Sequence, residues 1–258
     1  MKSCLIGYTG FVGSTLMRKT QFDDLYNSKN IQEIESMEYD LIVCAGAPAV
    51  KWRANQAPDE DLDNIKKLMK HIGSVKTKRF VLISTVDVYQ YPCDVDETTS
   101  INPSVTDPYG RHRYYLEQFV NEKFENVLVV RLPGLFGKGL KKNFIYDLIH
   151  NNCLYLTHGE SYFQFYNMEH IWSNIQTALN NNLNLVNFAV EPVMASEISN
   201  FCLGEEFNNV TDKEPVHYRM KSIYANLFCG QSCEYIANKQ DILNDIRDFI
   251  REEKLKLV

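Results

Sequence analysis

The sequence predicts an α/β protein built on a doubly wound parallel sheet, with a smaller lobe towards its C-terminus. Three observations carry this. Short apolar runs recur along the first half of the chain, each rich in β-branched residues and apolar on both faces, as strands covered by helices on both sides require. Helical patterns separate these runs, which gives strand–helix–strand units. A glycine-rich turn, GYTGFVG (7–13), directly follows the first run and precedes the first helical pattern.

In chain order, SCLIG (3–7) reads as the first strand and FVGSTLMRKT as the helix after it. DDLYNSKN (23–30) is the second strand candidate, DLIVCAG (40–46) the third and RFVLIST (79–85) the fourth, the last preceded by a helix over 59–72. A helix over 108–124 leads into NVLVVRL (126–132). Beyond Arg131 the alternation weakens: NFIYDLIHNN (143–152) reads as helix, CLYLTH and SYFQFY as strands, Met168 to Leu179 as helix, and LVNFAV (185–190) as a short return to the sheet. KQDILNDIRDFIREEKLK (239–256) carries apolar residues at helical spacing. The expected division is a core over 1–140, its sheet completed by about 165–190, and a mixed segment over 141–258 that includes the lobe.

The 258 residues, 45% hydrophobic and 23% charged, suffice for a full globular core. A net charge of −6 opposes a partner held through a phosphate backbone, so nucleic acid is not expected. No segment approaches the ~20 apolar residues of a membrane span, and Gly and Thr interrupt the first apolar run too early for a signal peptide. The expectation is a soluble, cytoplasmic chain. Its seven cysteines are odd in number and show no CxxC pair, so reduced thiols are expected, with Cys4 and Cys44 buried in strands. No histidines stand at metal-ligand spacing, and no metal is expected.

Gly7, Gly10 and Gly13 stand where the backbone must turn sharply, admit a diphosphate without Cβ interference and offer the amides of Phe11, Val12 and Gly13 to negative charge. That context marks a dinucleotide-binding (Rossmann) turn. The even GxxGxxG spacing resembles the extended short-chain dehydrogenase/reductase superfamily, the NAD-dependent epimerase/dehydratase family of nucleotide-sugar enzymes. No carboxylate ends the second strand candidate; Asn27, Ser28 and Lys29 stand there and suit a 2′-phosphate, so NADP is favoured over NAD. The resemblance sets Ala45 and Gly46 of CAGAPA against the cofactor, and Pro133 of RLPGLFGKG near the nicotinamide.

The catalytic residues follow from the same resemblance. VLISTVDVYQ (81–90) is similar to the family strand that ends in a substrate-holding hydroxyl, here Thr85 with Ser84 beside it. DPYGRHRYYLEQF (107–119) begins like the family's Tyr-x-x-x-Lys helix, in which residues i and i+4 share one face. A cation there lowers the phenol from its ordinary value near ~10 towards that of a usable base. Tyr109 is thus the expected acid/base, but its i+4 partner is Arg113, which keeps the charge and can donate to ribose oxygens yet differs from lysine in shape and never deprotonates. Two further departures are Gly134, where many relatives carry a substrate-contacting asparagine, and Val86, where glucose-nucleotide dehydratases carry an aspartate; the second disfavours dehydration. Ser84, Thr85, Gly134 and Asn143 are the expected substrate contacts.

Among weaker candidates, His112 is expected at the surface or an interface, Asp87 within a strand, Asn64 on the helix beside the site, and Lys51-Trp52-Arg53 along the crevice or in an exposed loop. Tyr155, Tyr162, Phe163, Phe165 and Tyr166 are expected in the core. The whole implies hydride exchange with a hydroxyl or keto group of a small substrate, a nucleotide sugar, by a homodimer joined through helices 59–72 and 108–124. Two rivals stand beside it: a sensor or scaffold that binds NADP(H) without turnover, and a reductase of small carbonyls that carry no nucleotide.

Overall fold

The computed structural model describes residues 2–230 and 232–257. The chain divides into two compact units. The first comprises residues 1–91, 99–132 and 171–186, the second 92–98, 133–170 and 187–258. Neither is continuous in sequence.

The first unit contains strands β1 (Ser3–Ile6), β2 (Asp24–Tyr26), β3 (Glu38–Cys44), β4 (Lys76–Thr85) and β5 (Val127–Leu132), with β6 (Leu185–Asn187) at the edge. They form one sheet in the order β6-β5-β4-β3-β1-β2. The pairs β1–β2, β1–β3, β3–β4 and β4–β5 are parallel, so chain order reverses beside β1, the place at which such sheets bind ligands. Helices α1 (Phe11–Lys19), α2 (Lys51–Gln56), α3 (Pro58–Ile72), α4 (Pro108–Lys123) and α5 (Ile171–Asn180) complete it.

Alternation along the strands explains the layers. Cys4, Ile6, Ile42, Cys44, Phe80, Leu82, Val127 and Val129 share a buried cluster with Ile65, Leu68 and Ile72 of α3 and Leu116 and Val120 of α4. The intervening Leu5, Leu41, Val43, Val81, Leu128 and Val130 are buried as well. Both sheet faces are therefore dry, as the apolar runs predict. Cys4 and Cys44 are buried as expected, and burial pushes the Cys44 thiol up to about 11.

In the second unit, Gly134–Phe136 runs parallel to Phe165–Asn167, Tyr162–Phe163 antiparallel to Val193–Met194, and Cys93–Val95 parallel to Arg219–Met220. The C-terminal helix Lys239–Leu255 buries Ile242, Leu243, Ile246 and Ile250. Gln164 joins separate segments: its side-chain amide donates to the carbonyls of Val190 and Met220 and accepts from the amide of Met220.

Several expectations are corrected. CLYLTH is not a strand; Asn151 and Cys153 both have φ +48°, and Leu154–Leu156 is a short 3-10 turn. Asp87 lies in a 3-10 turn, Val86–Val88, because Thr85 caps the strand end by accepting from the Asp87 amide. Lys51, Trp52 and Arg53 lie in the first turn of α2 rather than in a loop, although Trp52 is 66% exposed. Tyr155 is exposed, whereas Phe165 and Tyr166 are in the core. Cys229 and Cys233 form a disulfide instead of remaining thiols, since Gly230 adopts a left-handed conformation (φ +73°) and turns the chain after Cys229. Among the described residues, no helix is long and apolar enough to cross a membrane.

Candidate active site

The glycine turn is shaped by contacts that leave no room for side chains. Gly7 has φ +87°, and a Cβ there would lie 2.3 Å from the carbonyl oxygen of Ala45. A Cβ on Gly13 would lie 2.1 Å from the Gly7 carbonyl oxygen. The Gly10 amide closes the turn on the Gly7 carbonyl at 3.0 Å. Gly10 then begins α1 with no side-chain cap, and the first turn carries no acid. The amides of Phe11, Val12 and Gly13 are thus left to a ligand or solvent at the positive end of a helix. Gly46 lies next to this turn: its Cβ would meet the Ile6 side chain at 2.9 Å. The expected cofactor residues Gly7, Gly10, Phe11, Val12, Gly13, Ala45 and Gly46 therefore converge at the C-terminal ends of β1 and β3.

Beyond β2, Asn27 makes a local turn, its side-chain oxygen accepting from the Lys29 amide at 2.8 Å. Ser28 and Lys29 are exposed at that strand end.

Tyr109 sits in the first turn of α4 and is 9% exposed. Gly110 explains how the helix reaches its place, because a Cβ there would lie 1.9 Å from the Asp87 carbonyl oxygen. The glycine lets α4 press directly on the turn that follows Thr85. The Thr85 hydroxyl is 3.4 Å from Asp87 Oδ2, and Asp87 Oδ1 accepts from Lys51 Nζ at 2.6 Å. Thr85, Asp87, Lys51 and Tyr109 are consequently neighbours.

Arg113 does something the motif does not foretell. It is 3% exposed, and its guanidinium takes Asp61 of α3 in a two-point grip while donating also to the Pro48 carbonyl. Its Cζ lies 4.0 Å from the centroid of the Tyr109 ring, a cation–π distance. Asp61 Oδ2 also meets His112 Nδ1 at 2.8 Å, so His112 is buried rather than at the surface. Burial pushes the Asp61 carboxyl up, but hydrogen bonds from Arg113 and His112 and their charges bring it below its ordinary value. Burial pushes the Tyr109 phenol above 10; Arg113 and Lys51 oppose this, and Asp87 and Asp61 add to it.

Ser84 is committed elsewhere. Its hydroxyl donates to Glu117 at 2.5 Å, Glu117 also accepts from Arg131 Nε and Nη2, and Arg131 Nη1 donates to the Tyr89 hydroxyl at 2.8 Å. All four residues are buried, and they tie β4, α4 and β5 together. In the second unit, Pro133 is buried, and a Cβ on Gly134 would lie 2.8 Å from the Gln164 carbonyl, so an asparagine has no room there. Asn143 caps the helix Phe144–His150, accepting from the Tyr146 amide and donating to the Leu135 carbonyl. Asn64 is exposed on α3. Asp61, Gly110 and the Lys51–Asp87 pair were missed by sequence reasoning. The only advance signal was Asp61 in the first turn of a helix whose buried stripe includes Ile65, Leu68 and Ile72.

Over residues 20–181, more than half its length, the sequence matches the family described as NAD dependent epimerase/dehydratase. The chain belongs to that family. The match begins after the glycine turn, so the case for the turn rests on its own geometry. No curated protein matches the sequence. Solved structures share the fold. RMD from Pseudomonas aeruginosa, complexed with NADPH, is 15% identical with a TM-score of 0.76, over 99% of this chain and 100% of its own. MoeE5 in complex with UDP-glucuronic acid and NAD is 14% identical with a TM-score of 0.75, over the whole of both chains. UDP-N-acetylglucosamine 4-epimerase from Methanobrevibacter ruminantium M1 is 14% identical with a TM-score of 0.72, over 100% of this chain and 99% of its own.

Proposed function

We propose that this protein is an NAD(P)-dependent oxidoreductase of the epimerase/reductase type that acts on a sugar, nucleotide-linked, and works in the direction of carbonyl reduction. The observation that carries the reading is the glycine turn, a cradle that a Cβ at Gly7 or Gly13 would fill, opening onto uncapped amides. A nicotinamide dinucleotide held there supplies the hydride. The diphosphate falls to the amides of Phe11 to Gly13, and the exposed Ser28 and Lys29 suit a 2′-phosphate, which favours NADP.

The direction follows from Tyr109. Reduction of a carbonyl needs a proton for the developing alkoxide, and burial, which raises the Tyr109 phenol above its ordinary value, favours the form that carries that proton. Oxidation, the first half of an epimerisation, needs a phenolate, which burial disfavours. Thr85 orients the substrate oxygen, and the phenolate left behind regains a proton between turnovers. A homodimer through the outer faces of α3 and α4, where Tyr115 is exposed, and a cytoplasmic setting go with this reading.

A rival reading, a dinucleotide-binding sensor without turnover, is favoured by one observation: the Arg113 guanidinium is committed to Asp61 and Pro48. The deciding experiment supplies NADPH with dTDP- and UDP-linked 4-keto sugars and follows absorbance at the nicotinamide band. Turnover that falls about 100-fold or more in Tyr109→Phe, with dinucleotide affinity retained, supports the reductase. Equal inertness of wild type and variant, with both binding dinucleotide, supports the sensor.

A further inference from the structure

A guanidinium carries five N–H donors and no acceptor, and at Arg113 nearly all of them are taken up within the protein. Nη1 donates to Asp61 Oδ2 and to the Tyr109 carbonyl, and Nη2 donates to Asp61 Oδ1 and to the Pro48 carbonyl. The fifth donor, at Nε, is buried and has no partner among the described residues. None of the four engaged donors goes to the phenolic oxygen; the guanidinium lies over the Tyr109 ring, its Cζ 4.0 Å from the centroid. Asp61 on α3 and Arg113 on α4 are both buried, so salt screens their charges little. The cation stacked on the ring thus has its counter-charge attached at two points. A close ion pair presents a weaker potential to a third group than a lone cation in the same place does. The planar fork of an arginine can grip a carboxylate and stack at once, which the point charge of a lysine cannot.

We infer that Asp61 is a positioning residue of the proposed reaction: it holds the Arg113 guanidinium over the Tyr109 ring and offsets its charge there, so that Arg113 supports Tyr109 as a proton donor instead of converting it to a base. The role in turnover rests on the oxidoreductase reading; the effect on the phenol does not. The charged and titratable groups around the phenol are Arg113 and His112 on α4, Asp61 on α3, Asp87 on the turn after β4 and Lys51 on α2. Burial raises the phenol; of the charges, Arg113 lowers it, and Asp61 acts against Arg113.

The test compares the full-length wild type with Asp61→Asn, Arg113→Met and the double variant, each beside its own Tyr109→Phe counterpart. Stopped-flow pH jumps read phenolate absorbance before the chain unfolds, and the difference within each couple isolates Tyr109 without turnover. Asp61→Asn leaves the arginine without its counter-charge and is expected to lower the Tyr109 midpoint by about one pH unit. Arg113→Met is expected to raise it by as much or more, and the double variant to fall between the two. In steady-state reduction of a keto sugar by NADPH, the alkaline limb of kcat moves with the midpoint. A brace with no electrostatic role would lower stability and rate but leave the midpoints in place. If the single variants keep the wild-type midpoint, or move it the same way, the inference is overturned and the oxidoreductase reading stands. Should Asp61→Asn fail to fold, Arg113→Met and the double variant decide: removing the Asp61 charge in the methionine background lowers the midpoint, and an unchanged one overturns the inference. If the midpoints move as expected while no keto sugar is reduced, the oxidoreductase reading falls and the hold of Asp61 on the phenol stands.

Discussion

At the level of single residues, the site's electrostatics turn on Asp61. Removing one partner of a buried, hydrogen-bonded ion pair leaves the other charge unpaired, at about 3–5 kcal/mol, so Asp61→Ala should lower the melting temperature by many degrees. Arg113→Met in the Asp61→Ala background should recover much of the loss by removing the orphaned charge. The pH dependence has a definite sign. The folded Asp61 carboxyl lies below its unfolded value, so its contribution is fully present above about pH 4 and disappears as pH falls through the folded value. Acid denaturation monitored by circular dichroism should show this component in the wild type and lack it in Asp61→Asn. Tyr109 carries the opposite signature: burial raises its phenol above the ordinary value, so reduction should run without loss across neutral pH and decline only in alkaline solution. A rate that rose as a base titrated near pH 7 would contradict Tyr109 as a proton donor.

At the level of elements, two glycines decide where helices lie. Gly110→Ala drives a Cβ into the Asp87 carbonyl, which must push α4 away from the turn after β4. A cost of about 1–3 kcal/mol is expected, with loss of turnover beyond what stability explains. Gly13→Ala has a similar stability cost but a different functional one, since it deforms the first turn of α1 and should abolish dinucleotide binding. The sequence made Gly13 legible because turn, strand and helix all adjoin it. Gly110 was not legible, as its reason is a contact with a backbone atom 23 residues earlier in the chain. The strands of the core were readable from their apolar runs, and so were the helices 58–72 and 239–255 from their periodicity. The roles of Arg113 and Asn143 were not. Nothing local distinguishes an arginine that meets a ligand from one that grips a carboxylate 52 residues away, or an asparagine that meets a sugar from one that caps a helix.

At the scale of the whole molecule, the chain leaves and re-enters the sheet-bearing unit twice, and the segments that return, 99–132 and 171–186, had sequence signals in their helix and strand patterns. The excursion at 92–98 had none, because Cys93–Val95 is too short to show periodicity and finds its partner strand at Arg219–Met220. The Cys229–Cys233 disulfide predicts a thiol count: under denaturing, non-reducing conditions, titration should find five reactive thiols of the seven cysteines, rising to seven after reduction. Seven before reduction would remove the crosslink from the account.

The account as a whole depends on a dinucleotide lying across the first turn of α1. A crystal structure of the protein grown with NADPH tests this most directly. The account predicts density for the diphosphate against the amides of Phe11 to Gly13, with the nicotinamide on the side of Thr85 and Tyr109. Density at another place, or an α1 N-terminus holding only water at saturating NADPH, would contradict it.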